Sequence, residues 1–266
     1  MIGMLFILSI FLIGLFFGSF FGVLVNRLTS GKSFVKGRSK CDFCKKELSF
    51  FDLIPVLSFI LSNGRCRYCH KKLTIFYPLI EISAGFIFVL SYLYSPLFNS
   101  FGNINFSFFY FLFIFSSFLV LLFQDLKYGI LSDKIIFLTT GISFFYFILF
   151  QKQEFINHFL SGVSSFLFFV LISAVFYVLT KKQGMGGGDI KLSFLLGFLL
   201  GFPGVIICFY LAFLTGAIAS IILVLWRKKD YLKDSLPFGP FLIIGAYISL
   251  FWGNLIFIQV LKLLGA

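Results

Sequence analysis

Apolar stretches of roughly 18 to 25 residues recur along the chain, each near the length that crosses about 30 Å of hydrocarbon as a helix. They fall at about 2–25, 77–97, 106–124, 134–150, 156–179, 190–202, 204–226 and 238–261. A chain of 266 residues with 60% hydrophobic and 12% charged residues, and a mean hydropathy of +1.05, lies far from the balance of a soluble domain. The expected fold is an all-α polytopic membrane protein of about eight transmembrane helices. The sixth stretch is short, interrupted by Gly197 and Gly201 and closed by "GFPG", which reads as a tilted or half-buried helix. The first stretch lacks the basic n-region and small-residue cleavage site of a secretory signal, so it reads as a retained helix.

Cations near helix ends set orientation. With the N-terminus outside, every Lys and Arg of the 22 except Lys152 and Lys262 falls on the inner side. An arrangement of eight spans with both termini outside therefore accounts for the net charge of +12. Such a charge sets topology and meets the anionic headgroups of membrane lipids; nucleic acid is not needed to explain it.

Between the first two stretches lies a loop of about 26–76 that holds Cys41-x-x-Cys44 and Cys66-x-x-Cys69. Two residues between thiols let both sulfurs reach one ion from a tight knuckle, and two such pairs complete a tetrahedron, the pattern of structural Zn²⁺. "CDFCKKEL" and "CRYCHKKL" also repeat one another, as two similar turns around one metal would. Two disulfides are the competing reading, disfavoured because this topology puts the loop in a reducing compartment. Four sulfur ligands leave no open position for water, so the metal holds the loop rather than performing chemistry. His70 reads as a solvated loop residue and Cys208 as a small packing residue. The organisation is thus a first helix at 1–25, a cytoplasmic zinc-binding insertion at 26–76, and seven helices at 77–266.

The chemistry is then left to acids at membrane depth, which are expensive to bury and functional by default. Asp125 ends the third stretch and Asp189 opens the sixth from the same side, so topology puts both carboxylates at one depth. Two carboxylates in a poorly hydrated site share a proton, one acting as base on water while the other polarises a carbonyl. In "KKQGMGGGDIKLSF", Gly184, Gly186, Gly187 and Gly188 remove Cβ atoms just before Asp189, which lets an extended substrate backbone approach. A flexible connector is the competing reading of those glycines; a phosphate loop would need Gly-x-x-x-x-Gly-Lys-Ser/Thr, which is absent. Asp133, in "LSDK", is the rival to Asp125 for the acid pair, but it or Ser132 before it suits a helix cap. Glu81, in "YPLIE", suits either an ion pair or contact with a positively charged substrate segment. Glu81, Lys191 and the four glycines are the candidate substrate-binding and loop positions.

"GSFFGVLVNRL" from Gly18, the paired knuckles, "DLIPVLSFILSNGRCRYC" from Asp52, "YPLIE", "QDLKYGILSD", "GMGGGDIKLSF" and "PFGPFL" together resemble the prepilin peptidases, the type IV leader peptidase family of aspartic proteases, in that family's order over nearly the whole chain. The resemblance implies a catalytic pair at Asp125 and Asp189 and prepilin or pseudopilin substrates. These carry a basic cytoplasmic leader, a glycine after which cleavage falls, and then an apolar helix. It also implies a bacterial inner membrane location, and in many members methylation of the new N-terminal amine with S-adenosylmethionine. The chain departs from the family pattern at Gly22, where Asn is usual, and at Thr29 and Ser132, where Pro is usual. A transporter, a pilus-assembly scaffold and a different Gly-x-Gly-Asp intramembrane protease are the rival readings. A transporter would place its acids near the midplane and show internal repeats, and a scaffold would need neither aspartate.

Overall fold

The computed structural model describes residues 2–31, 37–94, 106–182, 184–226 and 237–263. Several cations assigned above to the inner side, Lys32, Lys36, Arg227, Lys228, Lys229 and Lys233, lie outside the described residues. The elements in chain order are α1 (Ile2–Thr29), a 3-10 helix (Phe50–Leu53), α2 (Leu57–Leu61), α3 (Phe76–Tyr94), α4 (Phe106–Tyr128), α5 (Asp133–Phe150), α6 (Phe155–Thr180), α7 (Gly187–Leu200), α8 (Gly204–Leu225) and α9 (Gly239–Leu263). No strand occurs among the described residues; two isolated bridges, Lys40 with Glu47 and Arg65 with Lys72, are the only extended pairings there. The fold is all-helical, as the apolar periodicity predicts, and helices α1, α3, α4, α5, α6 and α8 are each long and apolar enough to cross a membrane. In α9 the run 239–253 is apolar but shorter.

The chain forms two compact units, 1–124 and 125–266. In the first, α1 and α3 pack closely because Gly14 and Gly18, four residues apart, face α3: a Cβ on Gly14 would lie 2.7 Å from Gly85 Cα, and one on Gly18 would lie 2.9 Å from Ala84 Cβ. Small residues at that spacing are how helices approach where no hydrophobic effect drives them together. Arg27, at the end of α1, donates to the carbonyls of Gly37 and Arg38, and Tyr77 of α3 donates to Asp42, so the knuckle is held to both helices.

In the second unit α7 lies at the centre, against α5, α6, α8 and α9. Its Leu192, Leu195, Leu196, Gly197, Phe198 and Leu199 are all buried. The sixth apolar stretch is therefore a short inner helix of 14 residues, about 21 Å long at 1.5 Å per residue. Its glycine does packing work, since a Cβ at Gly197 would lie 2.6 Å from the Ser161 carbonyl oxygen and 2.9 Å from Gly162 Cα of α6. Across α8 and α9, Ser249 donates to the Gly204 carbonyl, and a Cβ on Gly245 would lie 2.6 Å from the Cys208 carbonyl oxygen. Cys208 is fully buried there, as a packing residue should be.

Candidate active site and metal centre

The second unit begins with Asp125, in the last turn of α4, and its carboxylate is buried. Asp189 stands in the first turn of α7, where Gly186 is the N-cap and Asp189 the third helical residue. From that position its carboxylate reaches back to the Gly186 backbone N–H, the acidic half of a capping box. The Asp125 charge acts on Asp189, and the Gly239 backbone N–H faces the Asp125 carboxylate from the start of α9. Oδ2 of Asp125 and Oδ1 of Asp189 are both buried with no hydrogen-bond partner among the described residues. Leu131 joins these parts: a Cβ on Gly188 would lie 2.9 Å from Leu131 Cβ, and one on Gly239 would lie 3.3 Å from Leu131 Cδ1. In the sequence Leu131 and Gly239 carry no signal of their own beyond lying within "QDLKYGILSD" and "PFGPFL".

The other candidate positions separate by environment. A Cβ on Gly186 would lie 3.2 Å from Asp189 Oδ2, one on Gly187 would meet nothing within 4 Å, and one on Gly184 would run into the Phe176 ring. Lys191 donates to Asp133 Oδ2 at 2.7 Å, with both side chains about half exposed. Asp133 thus begins α5, as a capping residue would, but its carboxylate takes the Lys191 ammonium, and Ser132 is the N-cap without a side-chain bond. Glu81 belongs to the first unit, is 9% exposed, and its Oε2 accepts the Val56 backbone N–H at 2.8 Å.

The four cysteines close on one point. Their Sγ atoms all lie within 4.8 Å of one another, with Cys41 and Cys69 at 4.0 Å, and all four are free thiols. The two knuckles are the same turn twice. Lys45 N–H donates to the Cys41 carbonyl and His70 N–H to the Cys66 carbonyl. Both Lys45 and His70 adopt positive φ, 59° and 54°. His70 is accordingly the counterpart of Lys45 and not a member of the ligand cluster. Burial pushes the Cys41 thiol up to about 11. At Cys66 burial also raises the thiol, but the N–H groups of Cys69 and Tyr68 outweigh it and hold it down to about 7. Four converging sulfurs are a donor set for zinc.

A cavity of about 600 Å³ lies beside the knuckle within the first unit. Ser19, Asn26 and Glu81 line its helical wall and Arg38, Arg65 and Arg67 its loop wall. Asp52, also on that wall, is fixed by the Ser49 N–H and hydroxyl, the Tyr68 hydroxyl and Arg67.

Many apolar helices, two acids that each keep a buried oxygen unpartnered among the described residues, and a four-cysteine knuckle define a polytopic membrane protein with a metal-type loop. The chain belongs to the type IV leader peptidase family. Residues 12–95 match the Bacterial Peptidase A24 N-terminal domain and residues 112–221 the Type IV leader peptidase family. A prepilin leader peptidase/N-methyltransferase of Legionella pneumophila is 32% identical over 220 residues, 82% of this chain and 73% of that protein. One of Bacillus subtilis is 27% identical over 245 residues, 92% of this chain and 94% of that protein. One of Aeromonas salmonicida is 46% identical over 79 residues, 30% of this chain and 27% of that protein. No solved structure matches.

Proposed function

We propose that this protein is a membrane aspartic endopeptidase that removes the basic leader of prepilins and pseudopilins after a glycine at the cytoplasmic face of a bacterial inner membrane. The names of its relatives support the substrate class. The observation that supports the chemistry is that the Asp125 charge acts on Asp189 and that each keeps one buried carboxylate oxygen unpaired among the described residues. Such a pair holds one proton between its members. The ionised partner takes a proton from water as it attacks the scissile carbonyl, and the protonated one donates to that carbonyl's oxygen. Selectivity follows from depth, since a prepilin presents its cleavage point where a charged leader gives way to an apolar helix.

Zinc on Cys41, Cys44, Cys66 and Cys69 holds the knuckle together, in keeping with four sulfur ligands and no open position. Methylation of the new N-terminal amine is the second reading, favoured by the cavity beside the knuckle. Its volume of about 600 Å³ lies within the range of small-molecule sites. Glu81 suits the cationic groups of S-adenosylmethionine and Arg38 and Arg65 its carboxylate. When bound, that donor supplies an activated methyl group.

Co-expression with a prepilin and intact-mass analysis of the product tests both readings. Asp125→Asn or Asp189→Asn lowers leader removal by about 10²–10⁴-fold, the usual contribution of a positioned acid or base, while membrane expression persists. Cleavage at the parental rate by either variant removes that residue from the pair. An added methyl on the product, or its absence, decides the second reading in the same spectrum.

A further inference from the structure

The knuckle turns an apolar surface outward. Phe50 and Phe51 of the 3-10 helix are 74% and 67% exposed, and Leu57, Ile60 and Leu61 of α2 are 55%, 61% and 75% exposed. Contiguous exposed apolar side chains on this scale mark an interaction surface. Three observations say what covers it.

The first is tethering: α1 ends at Thr29 and α3 begins at Phe76, so both ends of the loop leave the bilayer at one face. The second is depth. Val56, the residue before α2, donates its backbone N–H to Glu81. Glu81 is the sixth residue of α3, and at 1.5 Å per residue it lies about 7 Å along the helix from Phe76. The bond therefore fixes α2 level with the outer turns of a spanning helix, not above it. Val56 is held there at φ 61°, a conformation a β-branched residue adopts only when its surroundings impose it. The third is charge: between 37 and 75 there are eight Lys and Arg against three acids. Apolar exposure also continues along α3 through Leu79, Ile82 and Phe86, the side chains that a spanning helix turns to lipid.

We propose that the Phe50–Leu61 segment docks into the surface of the anionic bilayer. The aromatic and aliphatic side chains of the 3-10 helix and α2 enter the boundary between headgroups and acyl chains, and the knuckle's lysines and arginines reach the phosphates. The four-cysteine cluster is thereby held at the membrane plane, whether or not the chain cleaves a peptide.

The test uses the full chain in nanodiscs of phosphatidylglycerol and phosphatidylcholine. Trp226→Phe and Trp252→Phe remove the native tryptophans, and Phe51→Trp or Leu61→Trp supplies a single reporter. The expected result is blue-shifted emission that is lost in lipid brominated along the acyl chain, with shallow bromines quenching more than mid-chain ones. Emission at the wavelength of water-exposed tryptophan without quenching overturns the proposal. So does a blue shift without quenching, which means that protein, such as a second copy of the chain, covers the surface. The unsubstituted protein gives an independent measurement: a photoreactive acyl chain labels peptides within 50–61, and an absence of label there overturns the proposal even if the tryptophan variants misfold.

Discussion

Gly239 is the position where packing and chemistry are most tightly joined, and Gly239→Ala is the sharpest test of the site. The new Cβ would lie 2.6 Å from Asp125 Oδ2, 3.2 Å from Asp125 Cγ and 3.3 Å from Leu131 Cδ1. Ordinary contact begins near 3.4 Å, so the carboxylate or the start of α9 must move by about 0.8 Å. Overpacking of this kind costs about 1–3 kcal/mol where neighbours are rigid. A displacement near 1 Å at reacting groups costs about 10²-fold in rate. The expected result is a protein that still folds and whose kcat/KM for leader cleavage falls about 100-fold, or about 2.7 kcal/mol of transition-state stabilisation at 1.36 kcal/mol per decade. The assay is cleavage of a purified prepilin by the detergent-solubilised protein, read by mass. Gly141→Ala is the control, because a Cβ there meets nothing within 4 Å, and it should keep parental activity. If Gly239→Ala cleaves within threefold of the parent while Asp125→Asn is inactive, the contact between α9 and Asp125 is not part of the working site.

Two further substitutions separate substrate clearance from protein packing and charge from shape. Gly187→Ala meets no protein atom within 4 Å and improves helix propensity by up to about 1 kcal/mol. A rise in KM at undiminished thermal stability shows that substrate backbone passes there, and an unchanged KM refutes that role. Asp52→Asn removes the charge that gathers Ser49, Tyr68 and Arg67. Burial raises the Asp52 carboxyl, but the Ser49, Tyr68 and Arg67 contacts outweigh it and hold it below the usual carboxylate range. A depressed folded value contributes stability above the unfolded pKa of about 3.9 and loses it as pH falls through the folded value. Hydrogen exchange of the knuckle amides should therefore be faster in Asp52→Asn than in the parent at neutral pH, by a factor matching about 1–3 kcal/mol. The difference should close as the medium becomes acidic, and a difference independent of pH refutes the charge argument.

The helices were legible because lipid leaves the backbone no choice: apolar length predicts the six helices long enough to span, and observed ends such as 155–180 fall within a residue of the predicted 156–179. The knuckles were legible down to their repetition, since Lys45 and His70 occupy matching left-handed positions in two copies of one turn. What remained hidden were partners distant in sequence. Nothing in "YPLIE" says that Glu81 takes a backbone N–H from Val56, 25 residues earlier. Nothing in "PFGPFL" says that its glycine abuts a carboxylate 114 positions before it. Nothing in "GGGDIKLSF" says that Lys191, a candidate substrate-binding position, pairs with Asp133, 58 positions before it.

The short α7 is the feature that links fold to chemistry. At about 21 Å it cannot fill a hydrocarbon layer of about 30 Å, and a lipid-facing helix so short would leave polar chain ends in contact with acyl chains. Its middle, Leu192 to Leu199, is buried against α5, α6, α8 and α9 and so escapes that penalty, because protein and not lipid meets it there. The helix begins at an exposed stretch, with Gly184, Gly186 and Gly187 open and Asp189 half-buried at its first turn. A one-turn insertion between Asp189 and Leu192, with the buried run from Leu192 to Leu199 held in place, would carry Asp189 about 5 Å away from Asp125 and Gly239, whereas the same insertion placed after Leu200 would leave both acids where they are. The first insertion should therefore abolish cleavage and the second should spare it. Equal loss from both would mean that α7 matters for bundle stability alone and that its shortness has no part in placing the acid.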